Sequence, residues 1–478
     1  MSFSPVYVRR VLDPSFANWK RLFAEDALRV HKAHLVMLAE RKLIPTEAAS
    51  AIRRGIDEIE KSFTAPEHIP DGVEDLYFLF EQELSKLIGM ERAGYLHTAR
   101  SRNDMDTTVF RLALKRELIA LLGAVSGCAE SFIELSRASM DDLIILYTHG
   151  QPANVSTLAH YLTAFLLEML ESADSVVRSL EIVDRSSMGA CAITTTGFAI
   201  DRFRVSELLG FRGLVMNSYM AISTSHWLTA PSAAVAALMT DITRFAADLG
   251  HKASSEVGIV TFPDELVQIS SIMPQKRNPV IIEHTRIQAG LARGELMSVV
   301  ELFANVPFQD VNEVADAPVE RLFSALAMAV STIELLRETV RKVSVSEERV
   351  RSIALEFGTT TTELADTLVR ELGISFREAH GATQAFVRAS YDKGALRRAY
   401  RELRGEELPY SDERIDEILS PDWFVEVRSV AGGPSADGMA PVIEESERGI
   451  AGLKGALAEI LRREELASAA LQAAYRKL

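Results

Sequence analysis

The sequence predicts an all-α fold, in which a three-domain subunit is built around a long central helical bundle. Two observations support this prediction: five long segments carry apolar residues at helical spacing, and alternating strand patterns are scarce. The length of 478 residues also exceeds what one simple hydrophobic core holds. Several domains, or an elongated core completed by partner subunits, are therefore expected.

The strongest helical pattern runs from Met105 to Asp141, where apolar side chains form a broad stripe. A helix of about 35 residues spans roughly 50 Å, so neighbouring helices must pack along its whole length. Similar segments are predicted at Ser156–Asp184, Pro231–Glu256, Pro279–Ala304 and Val319–Val343. Because apolar faces of this extent exceed what one subunit covers, the pattern favours a homo-oligomer.

Shorter elements flank these segments and suggest a division into domains. We predict an N-terminal helical domain at 1–100, a central long-helix bundle domain at 101–357 and a C-terminal helical domain at 358–478. A short β-hairpin is predicted near Thr194–Ile200. The Gly- and Pro-rich stretch Ala431–Pro441 is predicted to be a loop.

The composition argues against several classes of function. Hydrophobic residues make up 47% and charged residues 25% of the chain, which is typical of soluble globular proteins. The net charge of −15 opposes nonspecific binding to nucleic acid, which needs a basic surface. Cys128 and Cys191 cannot form a disulfide framework, and a reducing compartment is expected. We see no signal-peptide pattern and no run of about 18 uncharged apolar residues, which predicts a cytoplasmic protein without a membrane partner.

The first polar connection is Ser270–Pro279, which reads Ser-Ser-Ile-Met-Pro-Gln-Lys-Arg-Asn-Pro. Asn278 and Pro279 are a good N-cap and first-turn pair, so the next helix would direct the positive end of its dipole at this loop. Lys276 and this helix end could stabilise the alkoxide of a serine that acts as a base. From spacing alone, a hydrogen-bonded capping loop is the commoner interpretation.

The second connection, Tyr147–Pro152, is predicted to be a polar turn between helices and contains His149. A lone histidine is more often structural than catalytic. Glu283 lies five residues past Asn278 in the helix that follows the first connection, and it could orient His149 and raise its basicity if the two loops meet.

The third connection, His97–Asp104, opens the longest predicted helix. Its two arginines, with Ser, Thr and Asn beside a helix start, form a plausible carboxylate site through bidentate guanidinium contacts. A capped, solvated helix terminus is an equally good interpretation.

Taken together, the three connections resemble the three signature regions of the fumarase/aspartase superfamily, and the segment at 270–279 is highly specific for it. The segment Arg100–Asp104 resembles the argininosuccinate lyase branch, as do Gly210–Phe211 and Asn217–Ser218. Phe376–His380 and Gly432–Pro434 are similar to the C-terminal domain of that branch.

The resemblance implies a homotetramer whose central bundle has about twenty helices, five per subunit, with each active site assembled from three subunits. It implies a small dicarboxylate substrate and neither a metal nor an organic cofactor. The implied catalytic residues are Ser270 as the base, Lys276 and Asn278 as stabilisers of the aci-carboxylate, and His149 with Glu283 as a candidate for protonating the leaving nitrogen. The implied substrate-binding residues are Arg102, Asn103, Thr148, Ser271, Met273 and Asn278.

Departures from this branch concentrate on positions that would hold the leaving group. Val30-His31 replaces a Gly-Ser pair before the histidine matching His34, and the region Pro307–Ala317 lacks the usual Tyr and Lys. Ser223–His226 replaces Ser-Asp-Arg-Asp. The turn at Thr148 is shortened, as in adenylosuccinate lyase, and Ile269 replaces the glycine before the serine pair.

The leading hypothesis is a carbon–nitrogen lyase that releases fumarate from an N-substituted aspartate by β-elimination. Argininosuccinate is one candidate substrate, and the altered distal positions favour another aminocarboxylate or amine adduct of fumarate. The alternatives are a fumarase-like carbon–oxygen hydro-lyase and a catalytically inert scaffold with this fold.

Overall fold

Helices make up most of the chain in the computed structural model, which describes residues 3–314 and 318–478. The N-terminal part is helical from Pro5 to Glu40, with π-helical segments at Val8–Leu12 and Trp19–Phe23 between α-helical ones. Its helices are α1 (Pro5–Tyr7), α2 (Asp13–Asn18), α3 (Ala24–Glu40), α4 (Thr46–Ser62), α5 (Leu76–Ile88) and α6 (Met90–Gly94), followed by a 3₁₀ turn at Tyr95–His97.

The central part contains the five long helices that the periodicity predicts. Its helices are α7 (Arg102–Ala138), α8 (Leu158–Val183), the short α9 (Arg202–Leu208) and α10 (Ser218–Ser223), α11 (His226–Lys252), α12 (Val280–Leu302) and α13 (Val319–Lys342). The apolar stripe of α7 is buried as expected, from Val109 through Leu121 to Phe132. The all-α prediction is therefore confirmed.

The C-terminal part contains shorter helices and one long final helix. They are α14 (Glu347–Glu356), α15 (Thr361–Leu372), α16 (Phe376–Arg388), α17 (Lys393–Arg404), α18 (Asp412–Ile418), α19 (Pro421–Glu426) and α20 (Ala436–Tyr475). The strands are β1 (Leu143–Thr148), β2 (Gln151–Thr157), β3 (Val260–Thr261), β4 (Gln268–Ile269), β5 (Arg277–Asn278) and β6 (Ser344–Val345). They form the antiparallel pairs β1–β2, β3–β6 and β4–β5.

The five long helices pack against one another, and the contacts of their connecting segments show that they alternate in direction. The segment after α11 pairs with the segment after α13, the segment after α8 contacts the start of α7, and the segment after α12 contacts the start of α7 as well. The connections therefore lie at two opposite ends of the bundle. We call one the Asn103 end, where α7, α11 and α13 begin and α12 leads into the segment 303–314. We call the other the Ser270 end, which holds the β1–β2 hairpin and the loop between α11 and α12. The 37 residues of α7 separate the two ends by about 55 Å at 1.5 Å per residue.

The predicted hairpin near Thr194–Ile200 is wrong, because that segment forms turns and bends and is largely exposed. The strands form instead at β1 and β2, within the region that we predicted to be a simple polar turn between helices. Leu143, Ile144 and Ile145 supply a buried apolar run, and burial of such a face favours a strand. The segment at 194–200 has no comparable face to bury.

Two predicted helix starts also need correction. Helix α11 begins at His226 rather than Pro231, because Trp227 and Leu228 are buried and their burial outweighs the backbone hydrogen bond that Pro231 removes. Helix α12 begins at Val280, with Pro279 as its N-cap and no side-chain cap. The predicted cap residue Asn278 pairs instead with Gln268 in the β4–β5 ladder.

The final helix α20 returns from the C-terminal part and packs along α3, α7 and α8. A buried charge cluster fastens it there, since the ammonium of Lys115 donates to the Gly210 carbonyl at 2.7 Å and pairs with Asp184 at 2.7 Å and with Glu464 of α20. Helices α15 to α18 enclose a separate small core. The division into three domains stays a prediction.

By length and composition, α7 is the one described helix that meets the criteria for a membrane span. It lies inside the bundle between α8 and α13. A buried core helix meets the same criteria.

Candidate active site

The start of α7 is held by a capping box. Ser101 is the N-cap, its hydroxyl accepts from the Asn103 N–H, and the Asp104 carboxylate accepts from the Ser101 N–H at 2.9 Å. The same carboxylate accepts from the N–H groups of Gly189 at 2.8 Å and Cys191 at 2.9 Å. Burial raises the pKa of Asp104 to about 6, against these hydrogen bonds. Asp104 therefore ties the loop after α8 to the start of α7.

Arg102 and Asn103, which we predicted to bind substrate, lie in the first turn of α7. The guanidinium of Arg102 pairs with Glu74 at 3.0 Å and Asp75 at 2.9 Å. The side-chain amide of Asn103 donates to the Asp310 carboxylate at 2.5 Å. Within one chain, both side chains thus contact carboxylates of the protein itself.

Thr148 and His149 lie at the exposed tip of the β1–β2 hairpin. His149 and Gly150 both have positive φ, 53° and 76°, as in the two-residue turns that suit the twist of a hairpin. Just below the tip, the ring of Tyr147 packs edge-on against His251 at 5.2 Å. The hairpin is thereby anchored on the end of α11 and presents Thr148 and His149 outward.

The loop with the proposed base projects from the Ser270 end. The Ser270 hydroxyl oxygen accepts from the backbone N–H groups of Ile272 at 3.3 Å and Met273 at 3.0 Å. Two N–H donors directed at this oxygen stabilise negative charge on it. The Ser270 N–H donates to the Lys276 carbonyl at 3.2 Å, which closes the loop. The side chains of Ser271, Met273 and Lys276 are exposed, and Asn278 is half-buried.

Glu283 lies in the first turn of α12 and is exposed. Among the hydrogen bonds of the described residues, none joins Glu283 to His149, so the predicted pair is not formed within one chain. The predicted site residues are also divided between the two ends of the bundle. Arg102 and Asn103 lie at the Asn103 end, whereas Ser270, Lys276 and His149 lie at the Ser270 end. One chain does not bring the predicted site residues together.

The sequence departures also map to these ends. His31 is buried beside the start of α7, where its Nδ1 accepts from Arg100 at 2.9 Å. The segment Ser223–His226 lies at the start of α11, and the described part of Pro307–Ala317 follows α12. His31, Ser223–His226 and the described part of Pro307–Ala317 therefore all lie at the Asn103 end. Residues 315–317 lie outside the described residues. The shortened turn at Thr148 and Ile269 lie at the Ser270 end.

An apolar cavity of about 400 Å³ lies in the N-terminal part, lined by Trp19, Leu28, His31, Tyr77 and Phe80 among others. It contains none of the predicted catalytic residues. In the part of the chain that the structure describes, no group of three or more His, Cys, Asp or Glu side chains is arranged to hold a metal ion.

Asp310 contacts the predicted site residue Asn103, and the sequence pattern predicts no role for it. Asp310 lies in the segment that lacks the expected tyrosine and lysine. An acidic side chain at an altered position is therefore the one sequence feature that could have indicated a role for it. Its partner Asn103 is 207 residues away in sequence, and neither spacing nor composition connects the two.

Comparisons with known proteins identify the family to which the chain is similar. A family model described as Lyase matches residues 15–294, and one described as Argininosuccinate lyase C-terminal matches residues 358–426. The chain is 38% identical to argininosuccinate lyase 2 of Agrobacterium fabrum over 445 residues, which cover 91% of this chain and 88% of that protein. It is 31% identical to argininosuccinate lyase of Methanocaldococcus jannaschii, covering 87% of this chain and 86% of that protein.

Solved structures share the fold. A variant of EDDS lyase with bound fumarate matches with a TM-score of 0.85 at 25% identity, covering 100% of this chain and 96% of that one. A class II fumarase from Schistosoma mansoni matches with a TM-score of 0.63 at 16% identity, covering 84% of this chain and 89% of that one. The second similarity concerns the fold alone.

Proposed function

Because the chain belongs to the argininosuccinate lyase family of the fumarase/aspartase superfamily, and is accordingly a carbon–nitrogen lyase that releases fumarate, we propose that its substrate is an N-substituted aspartate other than argininosuccinate. The observation that supports the chemistry best is the hydroxyl of Ser270, whose oxygen accepts from two backbone N–H groups. Such a hydroxyl is suited to act as the base once its loop closes over substrate.

The proposed reaction is a β-elimination. The Ser270 alkoxide removes a proton from Cβ of the succinyl group, and the electron pair moves into the adjacent carboxylate. Lys276 and Asn278 stabilise the resulting aci-carboxylate, because preorganised donors are needed where charge develops. The bond between Cα and nitrogen then breaks with its electrons going to nitrogen, which takes a proton from the acid for which His149, oriented by Glu283, is our candidate. The products are fumarate and an amine.

The remaining predicted residues bind the substrate in this proposal. Asn103 and Thr148 hold the second carboxylate, and Arg102, Ser271 and Met273 line the site. Since the ends of one chain are about 55 Å apart, a complete site needs loops from several subunits, and we propose a homotetramer. Exposed apolar residues on α12, Ile287 and Leu291 among them, provide a surface that other subunits would cover.

The proposal for the substrate follows from the positions at which the sequence departs from the argininosuccinate lyase pattern. His31, Ser223–His226 and the described part of Pro307–Ala317 all lie at the Asn103 end, whereas the loop Ser270–Pro279 keeps its signature. The residues assigned to the succinyl group, Asn103, Thr148 and the loop Ser270–Pro279, are therefore retained at both ends. The positions that would hold the leaving group are altered at the Asn103 end, and the departures at the Ser270 end are the shortened turn at Thr148 and Ile269. A structural relative, EDDS lyase, is named for a substrate other than argininosuccinate.

Steady-state kinetics test the substrate proposal. The protein would be given argininosuccinate and a panel of N-substituted aspartates, with fumarate release followed by ultraviolet absorbance. We expect a kcat/KM for argininosuccinate well below about 10⁴ M⁻¹s⁻¹, the lower part of the usual enzyme range, and a higher value for at least one other adduct. Argininosuccinate as the best substrate, above that value, would refute the proposal.

A further inference from the structure

Asp310 lies directly beside a residue that the proposed function assigns to the substrate carboxylate. Its carboxylate accepts from the side-chain amide nitrogen of Asn103 at 2.5 Å. An asparagine side chain has two N–H donors and one carbonyl acceptor. One donor reaches Asp310, so the second remains for a succinyl carboxylate. Asp310 would then lie beside the bound substrate.

The charge around this contact is negative. The one guanidinium in the first turn of α7, that of Arg102, is already paired with Glu74 and Asp75. Asp310 adds a third carboxylate with no cation of its own in hydrogen-bond contact among the described residues. Partial burial raises the pKa of Asp310, while the charge of Arg102 opposes that shift. A second carboxylate on the leaving group would be repelled here, and an ammonium would be attracted.

The loop that carries Asp310 is held in place by α10. The hydroxyl of Tyr219 donates to the Phe308 carbonyl at 2.7 Å, and the two rings meet edge-on with centroids 5.7 Å apart. Backbone hydrogen bonds from Gln309 to Pro307 and from Val314 to Val311 shape the rest of the loop. These contacts therefore hold the loop that carries Asp310 in place beside Asn103.

From this geometry, and resting on the proposed function, we infer that Asp310 determines specificity by selecting N-substituted aspartates whose leaving group carries a cationic amine and no carboxylate. Its carboxylate receives the ammonium while Asn103 holds the succinyl carboxylate. The same arrangement disfavours amino-acid leaving groups.

The test compares two substrates of similar size, N-(2-aminoethyl)aspartate and N-(carboxymethyl)aspartate, by the ratio of their kcat/KM values for fumarate release. The wild-type protein should favour the aminoethyl compound. In Asp310→Asn the ratio should fall between about tenfold and a hundredfold, as expected when one charged partner of a hydrogen bond is removed. Asparagine can still accept from Asn103, so the loop contact survives.

Two further variants serve as controls. Asp310→Glu keeps the charge and should keep the preference for the aminoethyl compound. Glu320→Gln removes an exposed negative charge from the first turn of α13 at the same end and should leave the ratio unchanged. Thermal unfolding of each variant would establish that it is folded.

The possible results separate the inference from the proposed function. Equal or reversed preference in the wild-type protein, or an unchanged ratio in Asp310→Asn, would overturn the inference and show that Asp310 merely ties its loop to α7. Cleavage of other N-substituted aspartates but of neither test compound would overturn it as well, while the lyase function stands. If no adduct of the panel yields fumarate, both fail.

Discussion

His31 and His34 are buried side by side on α3, next to the loop that leads into α7. The Nε2 of His34 lies 2.9 Å from the Thr98 carbonyl, which only accepts, so this nitrogen carries the hydrogen. Burial and the neighbouring charge of Arg100 lower the pKa of His34 to about 3 and also lower the pKa of His31. Both rings are thus neutral in the folded protein at neutral pH.

Because folding lowers the pKa of His34, we predict that this residue makes the free energy of unfolding depend on pH. Below about pH 6.5 the unfolded chain binds a proton at His34 that the folded chain does not, so this residue lowers the free energy of unfolding as pH falls toward 3. The variant His34→Gln lacks this titrating group, so it should not lose free energy of unfolding in this way as pH falls. Its glutamine side-chain amide can still donate to the Thr98 carbonyl. Between pH 7 and pH 4.5, unfolding experiments should show the variant gaining about 2 kcal/mol relative to wild type.

The matched control is His380→Gln, at an exposed position of α16. Its difference in stability from the wild-type protein should be the same at both pH values. A pH-independent difference for His34→Gln would mean that His34 is not held neutral.

Ser270 is the residue on which the proposed chemistry depends most. Ser270→Ala should lower fumarate release on the order of a thousandfold, within the range that a general base contributes. The side chain is only half-buried, so circular dichroism and thermal unfolding should be close to wild type. Near-wild-type turnover by this variant would contradict the role of Ser270 as the base.

At the scale of elements, the β1–β2 hairpin positions Thr148 and His149 through its two-residue turn. Gly150 has φ of 76° with open space around its Cα. Gly150→Ala should therefore destabilise the protein through backbone strain alone, by about 1 kcal/mol, and should also slow fumarate release because the tip shifts. Thermal unfolding and steady-state kinetics measure the two effects.

A comparison with Gly381→Ala isolates the effect of the turn. Gly381 lies inside α16 and also has open space around it, but an alanine in a helix is favourable by up to about 1 kcal/mol. That variant should be as stable as the wild-type protein or more so, with unchanged kinetics. If the two variants behave alike, the strained turn does not matter for the site.

Helix α12 carries exposed leucine, isoleucine and methionine side chains that no other described part of the chain covers. Leu291 is 58% exposed. If other subunits cover this face, Leu291→Glu should convert the oligomer to smaller species and abolish fumarate release, because a buried unpaired charge is costly. Light scattering and kinetics would follow both.

The corresponding control is Leu403→Glu, at an exposed leucine of α17 in the C-terminal part. It should keep both the assembly and the activity. A wild-type mass and rate for Leu291→Glu would contradict the proposed covering of α12.

Separation of the two ends predicts complementation between inactive variants. Asn103→Ala and Ser270→Ala change opposite ends of one chain, so in mixed oligomers some sites receive the wild-type residue at both positions. Mixing and reassembling the two variants should restore part of the fumarate release that each lacks. No recovery, with subunit exchange measured independently, would indicate that each site is formed within one chain.

The fold class, the five long helices and the family can all be predicted from the amino-acid sequence. Apolar periodicity over more than twenty residues leaves few alternatives to a bundled helix, and Ser270–Pro279 is a contiguous motif whose type can be recognised without coordinates. Two helix starts were predicted less well: that of α11 at Pro231, and that of α12 at Pro279 with Asn278 as its N-cap. There the burial of Trp227 and the β4–β5 pairing outweighed local capping preferences.

Which end of the bundle each loop occupies, and which side chains meet there, depends on how the helices pack in three dimensions. The contact between Asn103 and Asp310 joins residues far apart in sequence, and the pairing of Arg102 with Glu74 and Asp75 depends on how α5 packs beside α7. Local propensity carries no information about such contacts, because they follow from the direction and packing of whole helices. For the same reason, the sequence placed the hairpin at 194–200, whereas the apolar face that could be buried lay at Leu143–Ile145.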